Sequence, residues 1–120
     1  MDEPRGAEAA RLRKRKFELL RELTIPPDAL PGSLALVHRR CGKASCHCAE
    51  GEGHPMWSLT FMEAGRKRVE RIPEEWVPEI RRRVQLGREF REAIAEILTA
   101  NARLVVLARR EVTPRRRPRR

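Results

Sequence analysis

The chain has 120 residues, a net charge of +10 and an isoelectric point near 11.1. Charged residues make up 37% and aromatics only 4%; this allows one modest, mainly aliphatic core and points to a polyanionic partner, nucleic acid before a membrane surface. The longest aliphatic run, Leu104 to Ala108, is too short to span a bilayer, and the acidic, polar N-terminus carries no secretory signal. The expectation is a soluble cytoplasmic protein with reduced thiols and no membrane partner.

Residues 1–7 are expected to be frayed. Residues 8–24 are rich in Ala, Leu, Arg, Lys and Glu and predict a helix. Leu12, Phe17, Leu20 and Leu23 form a loose apolar face, and Arg11, Arg13, Lys14, Arg15 and Lys16 form a dense basic run. A charge run on a helix is commonly just a solvated face; on a chain this basic it is equally a candidate phosphate contact. Pro26, Pro27 and Pro31 end the helix and stiffen the linker.

Residues 32–73 predict a three-stranded antiparallel sheet. Ser33 to Arg39 alternates, with Leu34, Leu36 and His38 on one side and Ala35, Val37 and Arg39 on the other. Met56 to Met62 is a second strand, with Trp57, Leu59 and Phe61 on one face. Glu63-Ala64-Gly65 is a hairpin turn, and Arg66 to Ile72 is a short basic third strand. So small a sheet needs a helix against its apolar face, and Trp57 reads as part of that core before it reads as a base-stacking platform.

Between the first two strands lies CGKASCHCAEGEGH, residues 41–54, which holds all three cysteines and two of the three histidines. Cys41, Cys46, Cys48 and His54 are the ligand set of a closed tetrahedral zinc site. Cys41-Gly42-Lys43 looks like half of a zinc knuckle, in which a glycine of positive φ turns backbone amides toward the thiolate. Gly51 and Gly53 let the chain bend back so that His54 reaches the same point. His47 and His38 are alternative ligands, ranked lower because an extended loop points His47 away from Cys46 and Cys48. The spacing lacks a paired CxxC repeat, and the competing reading is three reduced cysteines in a tight turn.

Cys41-Gly42-Lys43, Cys46, Cys48, Gly51 and His54-Pro55, followed by a strand, a Gly65-Arg66-Lys67 turn and Ile72-Pro73, resemble a family of small uncharacterised proteins. These occur in bacteria, archaea and phages, often as products of mobile elements. The resemblance covers about residues 32–107 and implies a fold and a setting more than an activity. The family usually has His-Gly-Pro and then tyrosines, whereas here Pro55 follows His54 directly, then Met56 and Trp57.

Residues 74–108 predict a long C-terminal helix or helical hairpin. Pro73-Glu74-Glu75 is a helix start. Trp76, Val77, Ile80 and Val84 form an apolar stripe, and Gly87 marks a candidate bend. Phe90, Ile94, Ile97, Asn101, Leu104 and Ala108 recur at alternating intervals of four and three, a heptad seam with Asn101 at an a position. It packs either on the N-terminal helix of the same chain or, in the alternative, on a second copy through residues 90–108. Residues 109–120 are expected to be a disordered tail, its phosphate contacts Arg115, Arg116, Arg117, Arg119 and Arg120.

No GxxxxGK[ST] loop, HExxH or serine-centred elbow is present, and the acidic residues form no obvious two-metal cluster. An enzyme is not expected. The fold class is α+β. The function expected is a small basic nucleic-acid-binding accessory or regulatory protein of a mobile element. Its phosphate contacts would come from the helix run, the tail, Lys43 and the strand residues Arg66, Lys67 and Arg68. The alternative is an adaptor that docks a recombinase- or transposase-type partner through its helices.

Overall fold

Alternation of apolar and polar residues draws the middle of the chain into an antiparallel sheet. In the computed structural model, which describes residues 1–112, β1 spans Ser33–Arg39, β2 His54–Glu63 and β3 Arg66–Ile72, in the order β1-β2-β3. Arg39 lies opposite His54 and Leu36 opposite Trp57; Trp57 also pairs Ile72, and Ser58 pairs Arg71. Ala64 and Gly65, both at positive φ, make the two-residue turn between β2 and β3, whose twist suits a tight hairpin.

The register sorts the side chains onto two faces. One carries Leu34, Trp57, Leu59, Phe61 and Ile72 and is covered by the first turns of α2, which spans Val77–Val112. Leu59, Val77 and Val84 are buried there, and the Arg81 guanidinium sits 5.4 Å from the centroid of the Trp57 ring. Trp57 is half-buried at the edge of that core, with a cation over its face. The other face carries Ala35, Val37 and Arg39 from β1, His54, Met56, Ser58, Thr60 and Met62 from β2, and Lys67, Val69 and Arg71 from β3. It is open: Ala35, Arg39, His54, Met62, Lys67, Val69 and Arg71 are all exposed, and only Ser58, on the central strand, is buried.

A single 3-10 turn, Glu74–Trp76, precedes α2, with Pro73 just outside it. Trp76 is not on the apolar stripe but 57% exposed. A turn of three residues rotates it off the line that Val77, Ile80 and Val84 hold at 3.6 residues per turn. Gly87 makes no bend either, since α2 is continuous through it. The glycine answers a different need. The Leu30 N–H donates to the Arg83 carbonyl at 3.0 Å, and Asp28 accepts from Arg82 at 2.6 Å. The linker thus crosses α2 so closely that a Cβ on Gly87 would collide with the Leu30 carbonyl.

Residues 26–89 form one compact unit; residues 1–25 and the chain from 90 onward form the other. In the second, α1 (Ala7–Glu22) runs antiparallel to the C-terminal half of α2. Arg15 pairs with Glu96 at 2.9 Å and Arg103 with Glu8 at 2.6 Å. Ala9, Ile97, Ala100 and Ala108 are buried between them. The expected seam holds except at Asn101, which is exposed: Phe90, Ile94, Ile97, Leu104 and Ala108 are buried or half-buried, and Ala93, Ala100 and Leu107 widen the packed stripe beside them. Alanines read in sequence as helix filler, yet they are what a close helix pair needs at its contact. The N-terminal residues are tied down where fraying was expected. Pro4 is buried, its carbonyl accepts from Arg13 at 2.7 Å, and the Arg5 N–H donates to Glu111 at 2.6 Å. Arg109 to Val112 continue α2, where the tail was expected to begin; residues 113–120, with Arg115, Arg116, Arg117, Arg119 and Arg120, lie outside the described residues. Among those described, no helix is long and apolar enough to cross a membrane.

Candidate metal centre

The pairing of Arg39 with His54 brings both ends of the cysteine loop together, so its residues must fold back over the end of the sheet. Gly42 adopts φ 84, which glycine reaches without a Cβ penalty, and this turns the Lys43 N–H onto the Cys41 sulfur. The Cys46 N–H donates to the Lys43 carbonyl at 3.1 Å, and a 3-10 turn over His47–Glu50 places Cys48 on the inner side, 2% exposed. Gly53, at φ 93, lets the chain rejoin β2; a Cβ there would fall 2.6 Å from the Arg39 carbonyl carbon. Gly51 is extended and needs no special freedom. Pro55 directly after His54 is accommodated because β2 starts at His54 itself.

These turns bring Cys41, Cys46, Cys48 and His54 into one cluster, every ligand atom within 4.8 Å of the others. The Cys41 and Cys48 sulfurs are 3.4 Å apart, and Cys46 Sγ is 3.2 Å from His54 Nε2. Around a tetrahedral ion with bonds near 2.3 Å to sulfur and 2.1 Å to nitrogen, ligand atoms stand roughly 3.5–3.8 Å apart. The cluster brackets that spacing, and its four residues lie close enough together to hold a metal. His47 stays outside it, edge-on to His54 at 5.6 Å between centroids, and His38 lies exposed on the opposite face of the sheet.

The two neighbouring sulfurs divide their proton unequally. The Cys41 thiol is pushed from its ordinary 9.0 down to about 6 by the Lys43 amide first, then by hydrogen bonds from Cys48 and His54. Cys48 moves the other way. The Cys41 N–H, 3.4 Å from its sulfur, favours its thiolate, but burial and the sulfurs of Cys41 and Cys46 outweigh it and raise the pKa. Without metal, the pair at neutral pH is one thiolate accepting from one thiol. The Cys41 contribution to stability is present in full above its unfolded value, declines as pH falls from there, and is gone below about 6. Reduced, chelated protein should therefore titrate one thiolate near pH 6 by ultraviolet absorbance and melt progressively earlier as the pH falls from about 9 to about 6. A thiolate first appearing near pH 9 would contradict this geometry.

The basic residues singled out in the sequence are dispersed. At 3.6 residues per turn, Arg11, Arg13, Lys14, Arg15 and Lys16 point around the whole circumference of α1. Arg15 is engaged by Glu96, Arg13 by the Pro4 carbonyl, and the Lys16 ammonium lies 5.0 Å from the Phe17 centroid. The strand trio is split: Arg66 and Arg68 lie on the face of Trp57, Arg68 pairing with Glu70 at 3.0 Å, while Lys67 is on the open face. Lys43 is exposed on the cysteine loop. The structure also gathers Arg39, Arg40 and Arg71 beside the loop around a shallow cavity of about 290 Å³. Reasoning from sequence missed this group because Arg71 is distant along the chain from Arg39 and Arg40; strand alternation combined with register was the signal that joins Arg39 to Arg71.

No curated protein and no solved structure matches the chain. A family model does, over residues 7–82, which take in α1, the sheet, the whole cysteine loop and the start of α2. With that span matched, the chain belongs to the family described as a domain of unknown function, DUF6788.

Proposed function

We propose that the protein is a small cytoplasmic nucleic-acid-binding accessory protein of a mobile element, with a loop closed by one zinc ion. It binds rather than catalyses. The observation that carries the reading is cationic surplus on an exposed surface. The net charge is +10, and among the described residues Arg11, Lys14, Lys43, Lys67 and Arg71 are exposed and make no ion pair. Such cations are available to release counterions from phosphates. Three sulfurs and one imidazole in a tetrahedral set favour zinc over the harder divalent ions. Cys41, Cys46, Cys48 and His54 would hold it, and its role would be to fix the loop. The mobile-element setting rests on the resemblance of the cysteine motif. The test is recovery of the protein from its native host, with and without nuclease. Nucleic acid should accompany it at low salt and leave as salt rises.

A second reading, an adaptor for a protein partner, is favoured by one feature of the helical pair. Phe17 and Leu20 on α1 and Leu98 and Val105 on α2 are 53%, 44%, 61% and 49% exposed. A stoichiometric complex that survives nuclease and high salt would select this reading over the first.

A further inference from the structure

We infer that the open face of the sheet is a binding track for the phosphodiester backbone of a nucleic acid, entered at Arg39 and Arg71 beside the cysteine loop and continued by Lys67. This inference rests on the nucleic-acid reading above and names its surface.

Three observations carry it. First, the face is wholly one-signed. The register places Arg39, Lys67 and Arg71 on it together with His54 and small or apolar residues, and no Asp or Glu. The acids of the strands, Glu63 and Glu70, are both on the other face, where they stand with Arg66 and Arg68. Second, the cations are free to act. Arg39, Lys67 and Arg71 are exposed and make no ion pair among the described residues, whereas Arg15, Arg68, Arg82 and Arg103 are each engaged by a carboxylate. Third, Arg39 and Arg71 line one cavity with Met56 and His54, although they come from the two outer strands.

The spacing indicates what they hold. Arg39 is in register with His54 and Arg71 with Ser58. Two strand spacings across and four residues along put their Cα atoms roughly 17 Å apart. From Cα atoms that far apart, the two arginines reach across the cavity they share and can meet successive phosphates of one backbone. Met56 between them gives an uncharged floor, and no aromatic residue lies on this face to stack a base. The contact is therefore with the backbone and blind to sequence.

The arginines have one competing employment, neutralising the thiolates. A zinc ion with three thiolates and a neutral imidazole carries about one negative charge. Arg40, whose Nε donates to the Gly51 carbonyl at 3.2 Å, is held against that loop and suffices for it. Arg39, Arg71 and Lys67 remain in excess.

The experiment uses the full-length zinc-loaded protein and fluorescence anisotropy on single-stranded and duplex DNA and RNA oligonucleotides at several salt concentrations. The double variant Arg39→Gln with Arg71→Gln should weaken binding roughly tenfold and flatten the log–log salt slope by about 2 on duplex DNA. Arg66→Gln with Arg68→Gln removes the same charge from the opposite face and should leave both quantities nearly unchanged. Lys67→Glu, distant from the cysteine loop, should weaken binding with zinc content and melting temperature unaltered, which keeps the test valid if the first variant loses metal. If the parent binds and the two double variants lose affinity equally, or neither does, the open face is not the track while the nucleic-acid function stands. If the parent binds no oligonucleotide, or binds only anionic phospholipid vesicles, the function fails and the track with it.

Discussion

Cys46→Ser should release the metal and lower the melting temperature by roughly 10 °C or more. The loop has little else to hold it. Its one buried side chain is Cys48, and its internal backbone bonds are the local ones from Cys46 to Lys43, Ala49 to Cys46 and Gly51 to Cys48. Ordering such a segment costs about 1–2 kcal/mol per residue in backbone entropy. A structural zinc site supplies an apparent 10–16 kcal/mol in small zinc domains, which is the same scale as the cost of ordering the loop. A serine in place of one thiolate forfeits much of this, and a loss of about 2 kcal/mol shifts the melting point of a domain this size by roughly 10 °C. β2 begins at His54 and pairs with β1 immediately, so an open loop also frays the sheet end where Arg39 sits. Metal analysis by mass spectrometry and calorimetry on parent and variant give the answer. Stoichiometric zinc retained by Cys46→Ser, or none in the reduced parent, would remove the site.

Truncation after Val112 should cost the protein most of the salt dependence of its nucleic-acid binding. The deleted segment carries Arg115, Arg116, Arg117, Arg119 and Arg120. The cut follows from the structure: α2 extends to Val112, and Glu111 accepts from the Arg5 N–H, so removing residues from 111 onward would also disturb the folded chain. Five phosphate contacts give a slope near −4.5 for the logarithm of the binding constant against the logarithm of salt on duplex DNA. Between 50 and 200 mM salt this alone amounts to roughly a 500-fold loss of affinity for the parent, which the truncated protein would not show. The loss should be similar for all sequences, because arginines on phosphates do not read bases. An unchanged slope would show that the tail is not an electrostatic anchor. The residual slope belongs to the folded chain, and that is where the open face is tested.

Local structure was legible in the order of the residues alone. Period-two alternation marked the three strands, Ala64-Gly65 marked the hairpin, and three cysteines with a histidine in one short loop marked the candidate ligands. All of these are nearest-neighbour properties, set by side-chain alternation, by backbone freedom at glycine and by chain proximity. The tertiary structure decided what depends on contacts distant in sequence. Asn101 alone of the expected seam is exposed, and the packed stripe widens to Ala93 and Ala100, which are silent in a hydrophobic pattern but let a helix partner come close. Gly87 turned out to admit the Leu30 backbone where a bend had been expected. The basic runs at 11–16 and 66–68, contiguous on paper, are scattered by helical rotation and strand alternation onto different faces. Arg39 and Arg71, separated by most of the sheet in sequence, are brought to one cavity by register alone. A charge cluster is a property of a surface, and only the fold says which residues share one.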